Sequence, residues 1–193
     1  AHAQWEADVA AHEAGRDLAE VKPRPLVKPI FGCEVYFTPD ETLARDHKPE
    51  LYHMILLAKD QEGYVNLMQT VSEAAVQGFY YKPRIDYNLL KQHTEGLICL
   101  SACLSGDLPK LLLQGRTEDA KKYALEMQAL FGKGNYFVEI MDHGLPEERM
   151  VLPRLKALAR ETGIPLVATN DCHYLYREDA AAQEVLMCIQ TGK

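Results

Sequence analysis

An α/β fold with a mostly parallel sheet or barrel is predicted for this chain of 193 residues. Three observations lead there. From Gly96 onward, apolar strand-like runs alternate with helix-period segments, the rhythm of a parallel sheet with crossover helices. Residues 117–131 place Ala120, Tyr123, Ala124, Met127, Leu130 and Phe131 at i, i+3, i+4 and i+7 spacing, the apolar stripe of a helix lying on a sheet. The run Gly163-Ile164-Pro165-Leu166-Val167 reads as a short, fully buried strand that opens into Ala168-Thr169-Asn170-Asp171-Cys172-His173-Tyr174. An acid and a histidine past a strand's carboxyl end sit where such folds hold ligands.

The elements follow in order. Residues 1–26 are Ala-rich and polar, and Lys22-Pro23-Arg24-Pro25 breaks any helix there, because paired prolines disfavour both helix and central strand. They are expected to form a poorly ordered extension or remnant, with the domain proper at 27–193. Pro29–Phe37 reads as a strand, residues 39–50 as a surface loop and Leu51–Ala58 as a second, largely buried strand. Gly63–Gly78 has Leu67, Thr70, Val71 and Ala74 on one helical face, and Tyr81–Asp86 is turn-like. Leu97–Ser101 is a strand, Leu104–Gln114 a helix interrupted near Pro109, and Thr117–Phe131 a helix with acids at its start and Gly132 at its end. Asn135–Met141 is a strand. A helix marked by Pro153 then runs to Gly163, the strand Pro165–Thr169 follows, and the last helix spans about Glu178–Gln190.

Bulk properties narrow the function. A net charge of −7 argues against a broad non-specific grip on DNA, which needs clustered Lys and Arg. No apolar run approaches the roughly 20 residues that span a bilayer, and the N-terminus lacks the basic and apolar regions of a secretion signal. The five cysteines are odd in number and form no C-x-x-C pair, so free thiols or a metal thiolate in a reducing cytoplasm are expected rather than a disulfide framework.

The polar residues at strand ends, or inside apolar runs, are the chemical candidates: Glu34, His53, Cys103, Asp142, His143, Asp171 and His173. Carboxylate, imidazole and thiolate donors suit Zn²⁺ or Mn²⁺ in a water-activating site. Asp171 and His173, two apart, can point to the same side of extended backbone. Each residue also has an ordinary reading. Glu34 would face solvent on an edge strand, His53 would be a hydrogen-bonded core histidine, and Cys103 a small buried hydrophobe. His143 would be a turn residue, and Asp142 a helix cap. His2, His12, His47 and His93 fall in polar, solvated segments. Lys82 and Arg84 could meet phosphate or form a solvated basic turn.

Taken together, the segments Phe31–Tyr36, His53–Leu67, Gly78–Asp86, Leu100–Gly106, Asp142–Gly144, Ala168–Tyr174 and Glu184–Gln190 resemble the polymerase-and-histidinol-phosphatase (PHP) domain of the bacterial DNA polymerase III alpha subunit family. The resemblance spans about Val27 to Lys193. It implies part of a distorted (β/α)₇ TIM-like barrel, with divalent metal ions, Zn²⁺ or Mn²⁺, held by Glu34, His53, Cys103, Asp171 and His173. Lys82, Arg84, Asp142 and His143 are the implied phosphate or supporting residues. The family's opening H-x-H motif and its threonine-Asp-His-Gly motif do not occur here, so the first strands and half the metal cluster are expected to be missing. The chain contains no polymerase aspartate triad. The resemblance thus implies a piece of a cytoplasmic replicative polymerase that meets DNA, the other polymerase domains and replisome subunits, and no membrane. Its own module would be metal-binding and phosphoesterase-like, with a 3′–5′ proofreading exonuclease as the implied role, and weak or inactive in this fragment. The alternatives are a free-standing metal-dependent phosphatase of the same superfamily and an inactive scaffold within the polymerase.

Overall fold

The computed structural model describes Glu6, Val9, Ala10 and residues 28–39, 43–45 and 49–192. The chain divides into two compact units, residues 1–30 and 31–193. Apart from its three described residues, all helical, the 1–26 segment and its expected poor order lie outside the described residues.

The second unit is built on a six-stranded sheet. Its strands are β1 (Gly32–Phe37), β2 (Tyr52–Ala58), β3 (Arg84–Ile85), β4 (Leu97–Leu100), β5 (Tyr136–Ile140) and β6 (Leu166–Ala168). Its helices are α1 (Gln61–Val76), α2 (Tyr87–Gln92), α3 (Asp107–Leu113), α4 (Thr117–Phe131), α5 (Pro146–Thr162) and α6 (Ala180–Thr191). Local chemistry explains several boundaries. Asp60 caps α1 by accepting from the Gly63 amide at 2.9 Å, and Asp86 caps α2 through the Leu89 amide at 2.7 Å. Pro146 opens α5, where a missing N–H is harmless, and Pro153 lies inside that helix. Gly163, at φ +70°, ends it.

The strand order is β3-β1-β2-β4-β5-β6. The sheet is mostly parallel, as expected, with one reversed strand: β2 runs antiparallel to both β1 and β4. The remaining pairs are parallel. β2 thus turns back beside β1. Among the described residues the sheet does not close, as expected for part of a barrel, and β3 and β6 stand at its edges.

The register separates two faces. Val35, Phe37, Met54, Leu56, Leu97, Cys99 and Val138 are buried on the face that packs against the helices. Glu34, Ile55, Leu100 and Phe137 are successive Cα partners across four strands, and therefore share the opposite face. That open face carries the polar strand residues.

Three expectations need correction. β6 is an edge strand with Leu166 and Ala168 exposed, not a buried strand, because among the described residues no strand lies beyond it. The turn-like reading of Tyr81–Asp86 missed β3, and Arg84 is buried, not solvated. His93 is also partly buried, with Nε2 3.4 Å from Glu73 Oε1. The last helix is present, but α6 buries none of its residues, and Val185, Leu186, Met187 and Ile189 are exposed.

Candidate functional site

The antiparallel course of β2 is what assembles the site. β1, β4, β5 and β6 run the same way, so their carboxyl ends lie together. His53 is the second residue of β2 and reaches that same end because β2 runs in reverse. In the register, His53 faces Tyr36 and Glu34 faces Ile55, which makes Glu34 and His53 diagonal neighbours on one face.

Their side chains meet. His53 Nδ1 lies 2.8 Å from Glu34 Oε1 and 3.5 Å from Cys103 Sγ. The Tyr36 ring packs edge-on against the His53 ring at 5.3 Å between centroids. The His53 amide donates to the Ser105 carbonyl at 3.1 Å, which fixes the loop after β4 against β2. Burial pushes the Cys103 thiol up, and the charges of Asp171 and Glu34 push it further, against an opposing hydrogen bond from the Ser105 amide. The thiol therefore stays protonated at neutral pH, and a cation would be needed to make it a thiolate.

Asp171 and His173 sit across from this group. They line an open cleft of about 480 Å³ together with Cys103, His143, Glu148 and Asn170. Asp171 adopts a left-handed backbone, φ +46°, and His173 Nδ1 turns back to the Asp171 carbonyl at 2.7 Å. Cys103 is thus common to two subsets: it touches His53, and it lines the cleft with Asp171 and His173. The donor types suit a divalent metal. Among the described residues, however, no three His, Cys, Asp or Glu side chains are grouped to hold an ion. Glu34 and Cys103 are directed at the same His53 nitrogen rather than at a shared empty point.

The other predicted residues divide. His143 Nδ1 is 2.6 Å from Glu148 Oε1, and its Nε2 is 2.8 Å from the Asn170 carbonyl. Both partners are acceptors, so the bonds require both ring nitrogens protonated. The Glu148 hydrogen bond foremost, and then the Asn170 carbonyl, accordingly hold the His143 pKa above its ordinary value. Asp142 accepts from the Gly144 amide at 3.1 Å and shapes the turn, while α5 begins without it. Lys82 Nζ lies over the Tyr36 ring, 5.2 Å from its centroid.

Arg84 does not fit a phosphate role. Its Nε, Nη1 and Nη2 donate to the carbonyls of Gly78, Ala44 and Leu43 at 2.9, 3.2 and 2.8 Å. It is a buried clasp, with its guanidinium facing backbone oxygens rather than the cleft.

The sequence reading passed over Glu139 and Glu148, both buried. Glu139 stands inside the apolar run Tyr136-Phe137-Val138-Glu139-Ile140, the same signal that marked Glu34. Glu148 is the third residue of α5, in the first turn, where acids are common.

Comparison with known proteins adds a family to this geometry. A PHP-domain model matches residues 6–143, a range that takes in Glu34, His53 and Cys103 and stops short of Asp171. Among similar proteins is a DNA polymerase III subunit alpha of Treponema pallidum, 53% identical over 170 residues, covering 86% of this chain and 14% of that protein. Proteins of the same name from Deinococcus radiodurans and Thermus aquaticus are 48% and 45% identical over 171 and 169 residues, each covering 86% of this chain and 13% and 14% of theirs. The chain therefore spans about one seventh of the length of these relatives.

Proposed function

The chain belongs to the PHP-domain family, and from that premise we propose that it serves as the phosphoesterase-like module of a replicative DNA polymerase III alpha subunit, running from residue 27 to 193. In this reading DNA and the other replisome subunits are met through the parent nucleotidyltransferase, in the cytoplasm. Among the described residues, no helix is long and apolar enough to cross a membrane. The observation that carries the proposal is the contact chain Glu34–His53–Cys103 at the sheet end that also bears Asp171.

Glu34, His53, Cys103, Asp171 and His173 are the proposed points of contact with a divalent metal, Zn²⁺ or Mn²⁺. Such an ion supplies Lewis-acid polarisation of a phosphate and a water of lowered pKa. The chain's own residues do the rest. Binding at the Cys103 thiol expels a proton, so uptake strengthens as pH rises. His143, bound to Glu148 and to the Asn170 carbonyl, is the proposed support of the loop that carries Asp171, and Lys82 is the proposed phosphate contact. The open cleft admits an extended strand end, which favours a 3′–5′ exonuclease over a phosphatase for a small molecule.

A second reading, an inactive brace within the polymerase, is favoured by one observation: the donor side chains contact one another rather than a common centre. One experiment separates the two. The chain is incubated with a 3′-labelled single strand and Mn²⁺ or Zn²⁺, and metal uptake is measured in parallel. Slow release with metal uptake, both lost in Asp171→Asn, is the expected result. No uptake and no release would leave the brace. Robust release undiminished by Asp171→Asn would place the chemistry elsewhere.

A further inference from the structure

We propose, building on that reading, that Glu139 is a positioning residue whose buried carboxyl ties the loop bearing Cys103 to the loop bearing Asp171 and His173. β5 lies between β4 and β6 in the sheet, so the two loops leave strands that do not touch. The backbone ladder carries them only as far as the Ser101 amide on the Phe137 carbonyl and the Thr169 amide on the Ile140 carbonyl. Beyond those bonds Glu139 takes over on both sides. The Glu139 amide donates to Ser101 Oγ at 2.8 Å, which holds the chain just before Ala102, and the Ala102 amide is near enough to the Glu139 carboxyl to favour its ionised form. On the other side Thr169 Oγ1 donates to Glu139 Oε1 at 2.5 Å.

Two further observations give the tie a purpose. The described residues include three non-glycine residues at positive φ: Tyr81, Ala102 at +61° and Asp171 at +46°. Ala102 immediately precedes Cys103, and Asp171 is two residues past Thr169. Left-handed backbone at a residue with a Cβ is costly and persists only where its surroundings impose it. Each of these turns lies next to a bond that Glu139 makes, to Ser101 on one side and to Thr169 on the other. The carboxyl is also poorly served by its own surroundings. Glu139 is 4% exposed, and its Oε2 has no hydrogen-bond partner. Burial, followed by the charges of Asp171 and Glu34, makes its ionised form harder to hold, against the bonds from Thr169 and Ala102. A neutral side chain of equal size would suit the fold at least as well. Its use lies in what it aligns.

The test uses the full 193-residue chain with Glu139→Met, Glu139→Gln and Thr169→Val. The readouts are affinity for Zn²⁺ alone, backbone amide chemical shifts and melting temperature. Glu139→Met keeps the volume and removes the acceptor. It should weaken Zn²⁺ binding about 10- to 100-fold, the usual effect of losing a group that orients a ligand, and shift the amides of both Ala102 and Asn170 without lowering the melting temperature. Glu139→Gln keeps an acceptor oxygen and should recover most of the affinity. Thr169→Val cuts one side only, and keeps the idea testable if Glu139→Met fails to fold: it should move the Asn170 amide and weaken Zn²⁺ binding less. Unchanged affinity in Glu139→Met, or shifts confined to one loop, would overturn the proposal. If the unsubstituted chain takes up no Zn²⁺, the metal reading fails, and the paired amide shifts alone decide the tie.

Discussion

Gly63→Ala is expected to cost about 3 kcal/mol of stability, the scale of a forced overlap in a packed interior, and to lower the melting temperature by about 6–12 °C for a chain of this size. Gly63 is the third residue of α1, where helix propensity alone would reward alanine by about 1 kcal/mol. The structure predicts the opposite sign. A Cβ at Gly63 would overlap the backbone carbonyl of Gly96, and that carbonyl is held in place by the Lys59 amide at 2.9 Å. Gly96 is at φ +68° and cannot readily yield. Gly115→Ala is the control. Gly115 is also at positive φ, +75°, but has nothing within 4 Å of an added Cβ, so only the conformational cost of about 1 kcal/mol should appear. Thermal melts of both variants measure the difference. Equal losses in the two would mean that close approach at Gly63 is not what constrains the site.

The second large effect should depend on pH. Asp107, the first residue of α3, is buried and accepts from the Tyr123 hydroxyl at 2.8 Å. Burial pushes its carboxyl up to about 7, against the Tyr123 bond and the nearby Lys110 charge, with Glu50 adding to the rise. The folded state therefore favours the protonated acid, whereas the unfolded chain ionises near pH 4. The stability this contributes is complete below about pH 4 and is lost as pH climbs through 7. The total is about 4 kcal/mol, from the shift between 3.8 and about 7. Asp107→Asn removes the ionisation and keeps an oxygen for Tyr123. At pH 8.5 it should melt about 10 °C higher than the parent, and at pH 4 the two should coincide. Parallel curves across that range would show that Asp107 ionises freely in the folded state.

The elements most legible in the sequence were those whose signal is local. Thr117–Phe131 follows a clean helical period with acids in its first turn, and Tyr52–Ala58 and Tyr136–Ile140 are apolar runs of strand length. The direction of β2 was not legible, since strand direction depends on which neighbour is met and leaves no mark on the run itself. β3 is two residues long, and Arg84 within it is buried only because three backbone carbonyls from outside the strand receive its donors. In the candidate site, Glu34, His53 and Cys103 stood out as polar residues in apolar surroundings and lie in mutual contact. Glu139 carried the same mark. Its signal is masked by Asp142 and His143, which stand just past the end of the same strand. The reversal of β2 also explains how His53, at the start of its strand, shares an end with residues at the finish of theirs.

Edge strand β6 sets an order of disassembly. Three residues long and paired on one side only, it forms a segment whose amides should exchange with solvent through small local openings, far below the free energy of global unfolding. Residues 169–173 would detach with it. The half of the site on β1 and β2 is framed by longer ladders and would stay protected until the whole sheet opened. A protein of this design can lose the Asp171 arm, by mutation or by fluctuation, and keep its fold, so the chemistry of the module is easier to discard than its architecture.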